Sequence, residues 1–230
     1  MTHMRHPAQR RKPVEKHDEE DAFLEKVLEV TAWSREHRQL LITSVILLAV
    51  AIASIAYYAN YRVAVRTQAV NELEMIQQTL GLGDPESSIG RLNTFITRFG
   101  NSPYVLEARL VLGQIHLEAS RPDEAIAALA PAATSLTEPV GLQAAFLLAT
   151  AYEQVQRSED AEDLYLRIGD ATSLDFQLEN ALGAAARIRT ARGDFAGAAQ
   201  LYQRILATLE EGDPVYGLYQ MRLAEAEGRR

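Results

Sequence analysis

Residues 40–58 read LLITSVILLAVAIASIAYY, a run of 19 residues without a charge, a glycine or a proline. An α-helix rises about 1.5 Å per residue, so the run extends about 28 Å, which matches the hydrocarbon thickness of a bilayer. It predicts a transmembrane helix over residues 39–60. A buried core helix is one alternative. A cleaved signal peptide is the other, and the long segment before the run disfavours it.

Two different segments precede the predicted span. Residues 1–20 are polar and have too few apolar side chains to pack, which predicts a disordered cytosolic tail. Residues 21–38 predict a cytosolic amphipathic helix, because Phe23, Leu24 and Val27 fall on one face. That helix would either dock on a protein partner or rest at the membrane surface. Eight Lys and Arg residues lie before residue 39, which predicts that the N-terminus is cytosolic.

Residues 61–230 have the composition of a helical domain. The chain is rich in Ala and Leu, with 47% hydrophobic and 7% aromatic residues, and this bias favours helices over sheets. The predicted fold is therefore all-α, with one N-terminal transmembrane helix before the domain. A net charge of −8 argues against nucleic acid as a partner, because phosphates would be repelled. The absence of cysteine excludes disulfides and thiolate chemistry.

An internal repeat runs through this domain. In the first two copies, one helix carries a Leu, a small residue and a large residue at the same spacing, and in all three copies the next helix carries an Ala. Ala125, Ala161 and Ala198 recur at intervals of 36 and 37 residues, and we expect each to be buried where two helices cross, with Ala128 outside that contact. The residues predicted to pack the repeats are Leu112, Gly113, His116, Ala125 and Leu129, then Leu148, Ala149, Tyr152, Ala161 and Tyr165, then Leu182, Ala185, Ala186, Ala198 and Tyr202.

This pattern resembles the tetratricopeptide repeat, an α-solenoid built from helix pairs. Arg109 and Arg189 depart from it, since the repeat places a bulky apolar residue and a Tyr at these positions. The predicted repeats cover about residues 70–99, 103–137, 141–173 and 178–212, followed by a capping helix over residues 214–227.

The whole architecture resembles the YfgM-type ancillary subunit of the bacterial Sec translocon. That resemblance implies a single-pass inner-membrane protein with a periplasmic, chaperone-like domain that binds or relays translocated polypeptides. Residues 95–117, FITRFGNSPYVLEARLVLGQIHL, are also similar to periplasmic tetratricopeptide proteins such as the cell-division coordinator of the Tol-Pal system. This second resemblance implies an alternative, an envelope assembly or cell-division scaffold.

No stretch of the sequence carries a catalytic signature. Neither HExxH nor GxSxG occurs, and the domain has a single histidine, His116, which is predicted to pack in the core. The acidic residues cluster at turns and helix starts, where solvation and the helix dipole account for them. We therefore predict a protein that is not an enzyme and that needs no metal or cofactor.

The repeats predict a concave groove that binds protein partners. Its lining has few basic residues, which disfavours a clamp for a peptide's terminal carboxylate. A groove covered by the chain's own first helices, or by a second copy in a homo-oligomer, is the alternative. The predicted groove residues are Glu107, Leu110, Gln114, Leu117 and Glu118, then Gln143, Phe146, Thr150, Glu153 and Gln154, then Asn180, Gly183, Arg187 and Thr190.

Overall fold

The computed structural model describes residues 26, 28, 33–35, 37–100 and 102–229. The predicted tail over residues 1–20 lies outside the described residues, as does most of the predicted amphipathic helix over residues 21–38. The chain divides into two compact units, Met1–Val63 and Ala64–Arg230.

The described part of the first unit is dominated by an apolar helix. Helix α1 begins at Arg38 and runs through this unit to end at Gly81 in the second. Its most apolar stretch is not buried by any part of the chain that the structure describes. The hydroxyls of Thr43 and Ser54 donate hydrogen bonds to backbone carbonyls of the same helix, at 2.9 and 2.8 Å. By length and composition, α1 could cross a membrane.

The second unit is a row of helices, and no strand occurs among the described residues. Neighbours along the chain from α2 onwards contact each other, and α3 also contacts α5. Chain order therefore matches spatial order, as in a solenoid. The helices are α2 (Pro85–Arg98), α3 (Tyr104–Glu118), α4 (Pro122–Leu129), α5 (Pro139–Gln154), α6 (Ser158–Ala171), α7 (Asp175–Arg192), α8 (Phe195–Leu206) and α9 (Tyr216–Gly228).

A left-handed residue marks the turn inside each helix pair. Gly83, Ser120, Gln156 and Gly193 have φ of 88°, 57°, 61° and 85°, at spacings of 37, 36 and 37 residues. After the last three, the next N–H donates a hydrogen bond of 2.8–2.9 Å to a carbonyl five residues back, which is a Schellman-type helix end. The connection between α1 and α2 thus falls in phase with the three later turns.

The core of the solenoid consists of two clusters. One joins Ala69, Leu73 and Ile76 of α1 to α2 and α3, and the other runs from α3 to α9. Small residues occupy positions where neighbouring helices meet, both within a repeat (α3 and α4) and between repeats (α6 and α7). A Cβ on Gly113 would overlap the Leu129 side chain, and one on Gly169 would lie 2.6 Å from Leu182 Cδ2. Both helix contacts therefore depend on glycine.

The three repeating alanines are fully buried. Ala125, Ala161 and Ala198 are each 0% exposed. Ala128, which we expected to lie outside that contact, belongs to a different core cluster from Ala125, but it is itself buried in the cluster formed with α1, α2 and α3. Helix α4 thus packs apolar residues on two sides. An exposed neighbour such as Ala127 is the proper reference position on this helix.

Other residues predicted to pack the repeats lie in the same core. Tyr152 is half-buried, with the guanidinium of Arg157 4.3 Å from the centre of its ring. The remaining ones are buried, and they are Leu112, Gly113, His116, Leu129, Leu148, Ala149, Tyr165, Leu182, Ala185, Ala186 and Tyr202.

Arg189 replaces the expected Tyr by forming a different contact. Its Nε donates to Glu162 Oε1 at 2.6 Å, and Arg192 Nη1 lies 3.0 Å from Glu162 Oε2. Glu162 is buried, and two cations satisfy its charge. The ion pairs join α6 to α7 where an aromatic contact was expected.

The same glycine-to-alanine change should have opposite effects at two helical positions. Gly113→Ala should lower the free energy of unfolding by about 1–3 kcal/mol, because the buried Leu129 must move. Gly90→Ala should raise it by about 0.5–1 kcal/mol, because open space surrounds that position within α2. Urea denaturation of the full-length protein in detergent, followed by circular dichroism, measures both. Equal effects would contradict the close approach of α3 and α4.

Candidate protein-binding groove

Helices α5 and α7, the first helices of two successive repeats, border an uncharged pocket of about 440 Å³. Its apolar floor includes Leu142, which is buried, and Phe146 and Leu147, which are half-buried. Phe176 stands at the start of α7 with 59% of its surface exposed. The residues that line the pocket are Pro139, Leu142, Gln143, Phe146, Leu147, Phe176, Gln177 and Asn180.

Three side-chain amides add polar groups to this pocket. Gln177 accepts a hydrogen bond from the Thr172 hydroxyl. The side chains of Gln143 and Asn180 are exposed, and their amides form no hydrogen bond within the described part of the chain. Each amide offers two donor hydrogens and an acceptor oxygen. The pocket therefore combines an apolar floor with two amides that are free to bind a ligand.

An ion pair crosses the groove beyond this pocket. Arg187 Nη2 on α7 lies 2.6 and 2.8 Å from the two carboxylate oxygens of Glu153 on α5. The Tyr165 hydroxyl donates to the same carboxylate at 3.0 Å, and it lies 3.4 Å from Thr150 Oγ1. The predicted groove residues Thr150, Glu153 and Arg187 thus belong to one network. Because the pair is internally neutral, it adds no net charge to the groove.

A second pocket of about 480 Å³ lies between α7 and α9. Leu218 and Met221 on α9 expose 39% and 64% of their surfaces there. Arg222 also lines this pocket, and it has no ion-pair partner in the part of the chain that is described. Thr190, a predicted groove residue, lies on the α7 side. This pocket therefore differs from the first one by carrying an unpaired cation.

Three of the five predicted groove residues of α3 are covered at least in part by other side chains. The assignment of Leu110 to an open surface was wrong, because Leu110 is only 7% exposed and packs in the core cluster that includes Leu142. Leu117 is half-buried against the same cluster. Glu107 accepts a hydrogen bond from Gln77 Nε2 at 3.1 Å, so helix α1 partly covers it.

The remaining predicted groove residues have separate environments. Gln114 and Glu118 are exposed and share a hydrogen bond of 3.1 Å along α3. Gln154 is exposed at the end of α5. At Gly183, a Cβ would lie 3.1 Å from the Tyr219 hydroxyl, so α9 approaches α7 closely there.

The structure also adds groove residues that the repeat pattern did not predict. Leu147 follows Phe146 directly and lines the first pocket beside it. Phe176 lies in the first turn of α7, before the predicted register begins at Asn180. The sequence did contain a signal for this residue. Phe176 is a large apolar residue in the connecting segment TSLDFQ, and the repeat pattern gives it no packing position.

His116 is buried within α3. Desolvation lowers the pKa of His116, and its Nδ1 has no hydrogen-bond partner among the described residues. Within those residues, no group of three His, Asp or Glu side chains is placed to hold a metal ion.

The tetratricopeptide repeat-like domain model matches residues 31–227. The chain therefore belongs to this family, whose repeats generally mediate protein–protein interaction. No curated protein matches the sequence.

Solved structures share the fold at low identity. A tetratricopeptide repeat protein from Parabacteroides merdae is 17% identical, with a TM-score of 0.59 over 70% of this chain and 61% of its own. The MamA protein is 15% identical, with a TM-score of 0.56 over 70% and 81%. TPR-like repeats from Podosopora anserina are 18% identical, with a TM-score of 0.55 over 71% and 87%.

Two tyrosines of the groove region make stability sensitive to alkaline pH. Burial is the main reason that the pKa of Tyr165 is raised to about 12. Burial also raises the pKa of Tyr219 to about 12, and the Tyr219 hydroxyl donates a hydrogen bond to the Glu179 carboxylate. No lysine occurs after Lys26, so lysine titration does not obscure the effect in this domain.

Stability should therefore fall between about pH 10 and about pH 12, because the unfolded chain loses these protons near pH 10 and the folded chain holds them. Between about pH 9 and about pH 11 we expect Tyr165→Phe to remove about 1 kcal/mol of that fall. Urea denaturation at about pH 9 and about pH 11 measures it. An unchanged pH dependence in the Tyr165→Phe and Tyr219→Phe double variant would contradict the assignment.

Proposed function

We propose that this protein is a membrane-anchored scaffold that acts by binding polypeptides in its repeat groove. The main observation behind this proposal is that the same chain has two features. One is an exposed apolar helix long enough to span a bilayer, and the other is an uncharged pocket bordered by the unpaired side-chain amides of Gln143 and Asn180. An apolar helix with no protein cover needs a lipid or protein environment. The groove has the shape and chemistry of a peptide site, and no catalytic group is needed for that role.

The proposed location is the bacterial inner membrane, with a cytosolic N-terminus and an extracytoplasmic repeat domain. Basic residues before the span support this orientation. The proposed partner is the Sec translocon, because the order of segments in the sequence resembles that of the YfgM-type subunit. In this role the span docks on the translocon, and the groove holds chains that have just been translocated.

Unique cysteines would test the orientation, because the natural chain has none. Leu82→Cys is placed in the turn after α1, where the side chain is 88% exposed, and Lys16→Cys in the N-terminal segment. A membrane-impermeant maleimide should label Leu82→Cys in intact spheroplasts and Lys16→Cys only after lysis. The reverse pattern, or a mature chain that begins near Ala56, would overturn the orientation.

Photo-crosslinking in native membranes would test the partner. A photoreactive residue at Ile46, on the exposed apolar part of α1, should crosslink to translocon subunits. One at Gln143 should crosslink to newly translocated chains, whereas one at Gln200, an exposed glutamine on α8, should not. Crosslinks to Tol-Pal or cell-wall synthesis proteins alone would favour the scaffold alternative that residues 95–117 suggest.

A further inference from the structure

We infer that the pocket between α5 and α7 binds an extended segment of a partner polypeptide. An uncharged, apolar side chain of that segment enters the pocket, and the Gln143 and Asn180 amides form hydrogen bonds with the segment's backbone. This inference rests on the proposed polypeptide-binding function and names the class of segment that the groove selects. The alternatives are a charged or helical ligand and a second copy of this chain.

The lining of the pocket selects against charge. Every residue that lines it is apolar or an amide, and none carries a charge. The Arg187 and Glu153 side chains on the same two helices already neutralise each other at 2.6 Å. A charged side chain that entered the pocket would lose hydration without gaining a counter-ion. An aliphatic or aromatic side chain would instead bury apolar surface, including that of Phe176.

The free amides select for an extended backbone. A helical partner has already paired its backbone N–H and C=O groups, whereas an extended segment still offers both. Gln143 and Asn180 lie on different helices and present a donor and an acceptor each, with no partner of their own in the described chain. They therefore match an extended backbone and gain little from the helical surface of a second copy.

The pocket is also open within the described structure. Phe176 is 59% exposed and Leu174, two residues earlier, is 50% exposed, and neither belongs to the core clusters. Because Phe176 supports no core packing, removing its ring should weaken a ligand without unfolding the domain. Phe146 is less suitable for this purpose, since it packs against the core with its ring 6.4 Å from that of Tyr165.

The test is peptide binding by the full-length protein in lipid nanodiscs. The probe is a short fluorescent Gly/Ser peptide with a central Leu-Phe-Leu, measured by anisotropy. A matched peptide with Glu-Ser-Glu at its centre should bind about tenfold more weakly, or not at all. Equal binding of the two peptides would overturn the selection for an apolar segment.

Two variants separate the apolar contact from the backbone contact. Phe176→Ser should weaken binding about fivefold, whereas Leu82→Ser, an exposed change outside the groove, should leave it unaltered. The double variant Gln143→Leu, Asn180→Leu should weaken binding severalfold although it makes the pocket more apolar. Tighter binding by this double variant would overturn the role of the amides, and an unaltered affinity in Phe176→Ser would overturn the site.

These results are independent of the translocon proposal. Binding to the pocket without translocon crosslinks in native membranes would leave this inference standing and reject the proposed partner. Translocon crosslinks together with no effect of Phe176→Ser on peptide binding would support the proposed partner and reject this inference. If Phe176→Ser instead converts a dimer into a monomer in nanodiscs, the pocket is an interface between copies, and the inference fails.

Discussion

Close approach of neighbouring helices, both within a repeat and between successive repeats, is the constraint on which the solenoid depends. Gly113 against Leu129 and Gly169 against Leu182 leave no room for even one added carbon, and the buried alanines leave little more. Small side chains at these positions allow the helix backbones to approach, and larger ones from the neighbouring repeats then fill the core. Close packing of apolar side chains is therefore the main interaction that holds the helices together, and few polar groups are buried among the described residues.

This packing determines which surfaces remain available for binding. Residues of α5 and α7 line the first pocket, and residues of α7 and α9 line most of the next one. The two pockets differ in electrostatics, since the first is uncharged and the second carries the unpaired Arg222. The ion pair between Glu153 and Arg187 connects α5 to α7 directly, and the two side chains neutralise each other's charge in the groove.

The sequence alone predicts most of the repeat architecture because small residues recur at a fixed interval. The same periodicity predicts that Gln143, Phe146 and Asn180 share a face, and they line one pocket. It fails where neighbouring helices decide exposure, as at Leu110, which the core covers. It also could not foresee that Arg189 would replace an aromatic contact by pairing with Glu162, since that requires two helices to meet. Phe176 was missed because it precedes the periodic part of its helix.

The left-handed residues at 83, 120, 156 and 193 have a consequence for how such a protein can change during evolution. They divide the chain into modules of nearly constant length, and each helix contacts mainly its neighbours along the chain. Duplication or loss of one whole module would preserve the interfaces on either side. The length of the binding surface can thus change through the number of modules, whereas the chemistry of a single pocket changes through point substitutions. The size of the ligand that is bound and the selectivity for its side chains can therefore evolve independently.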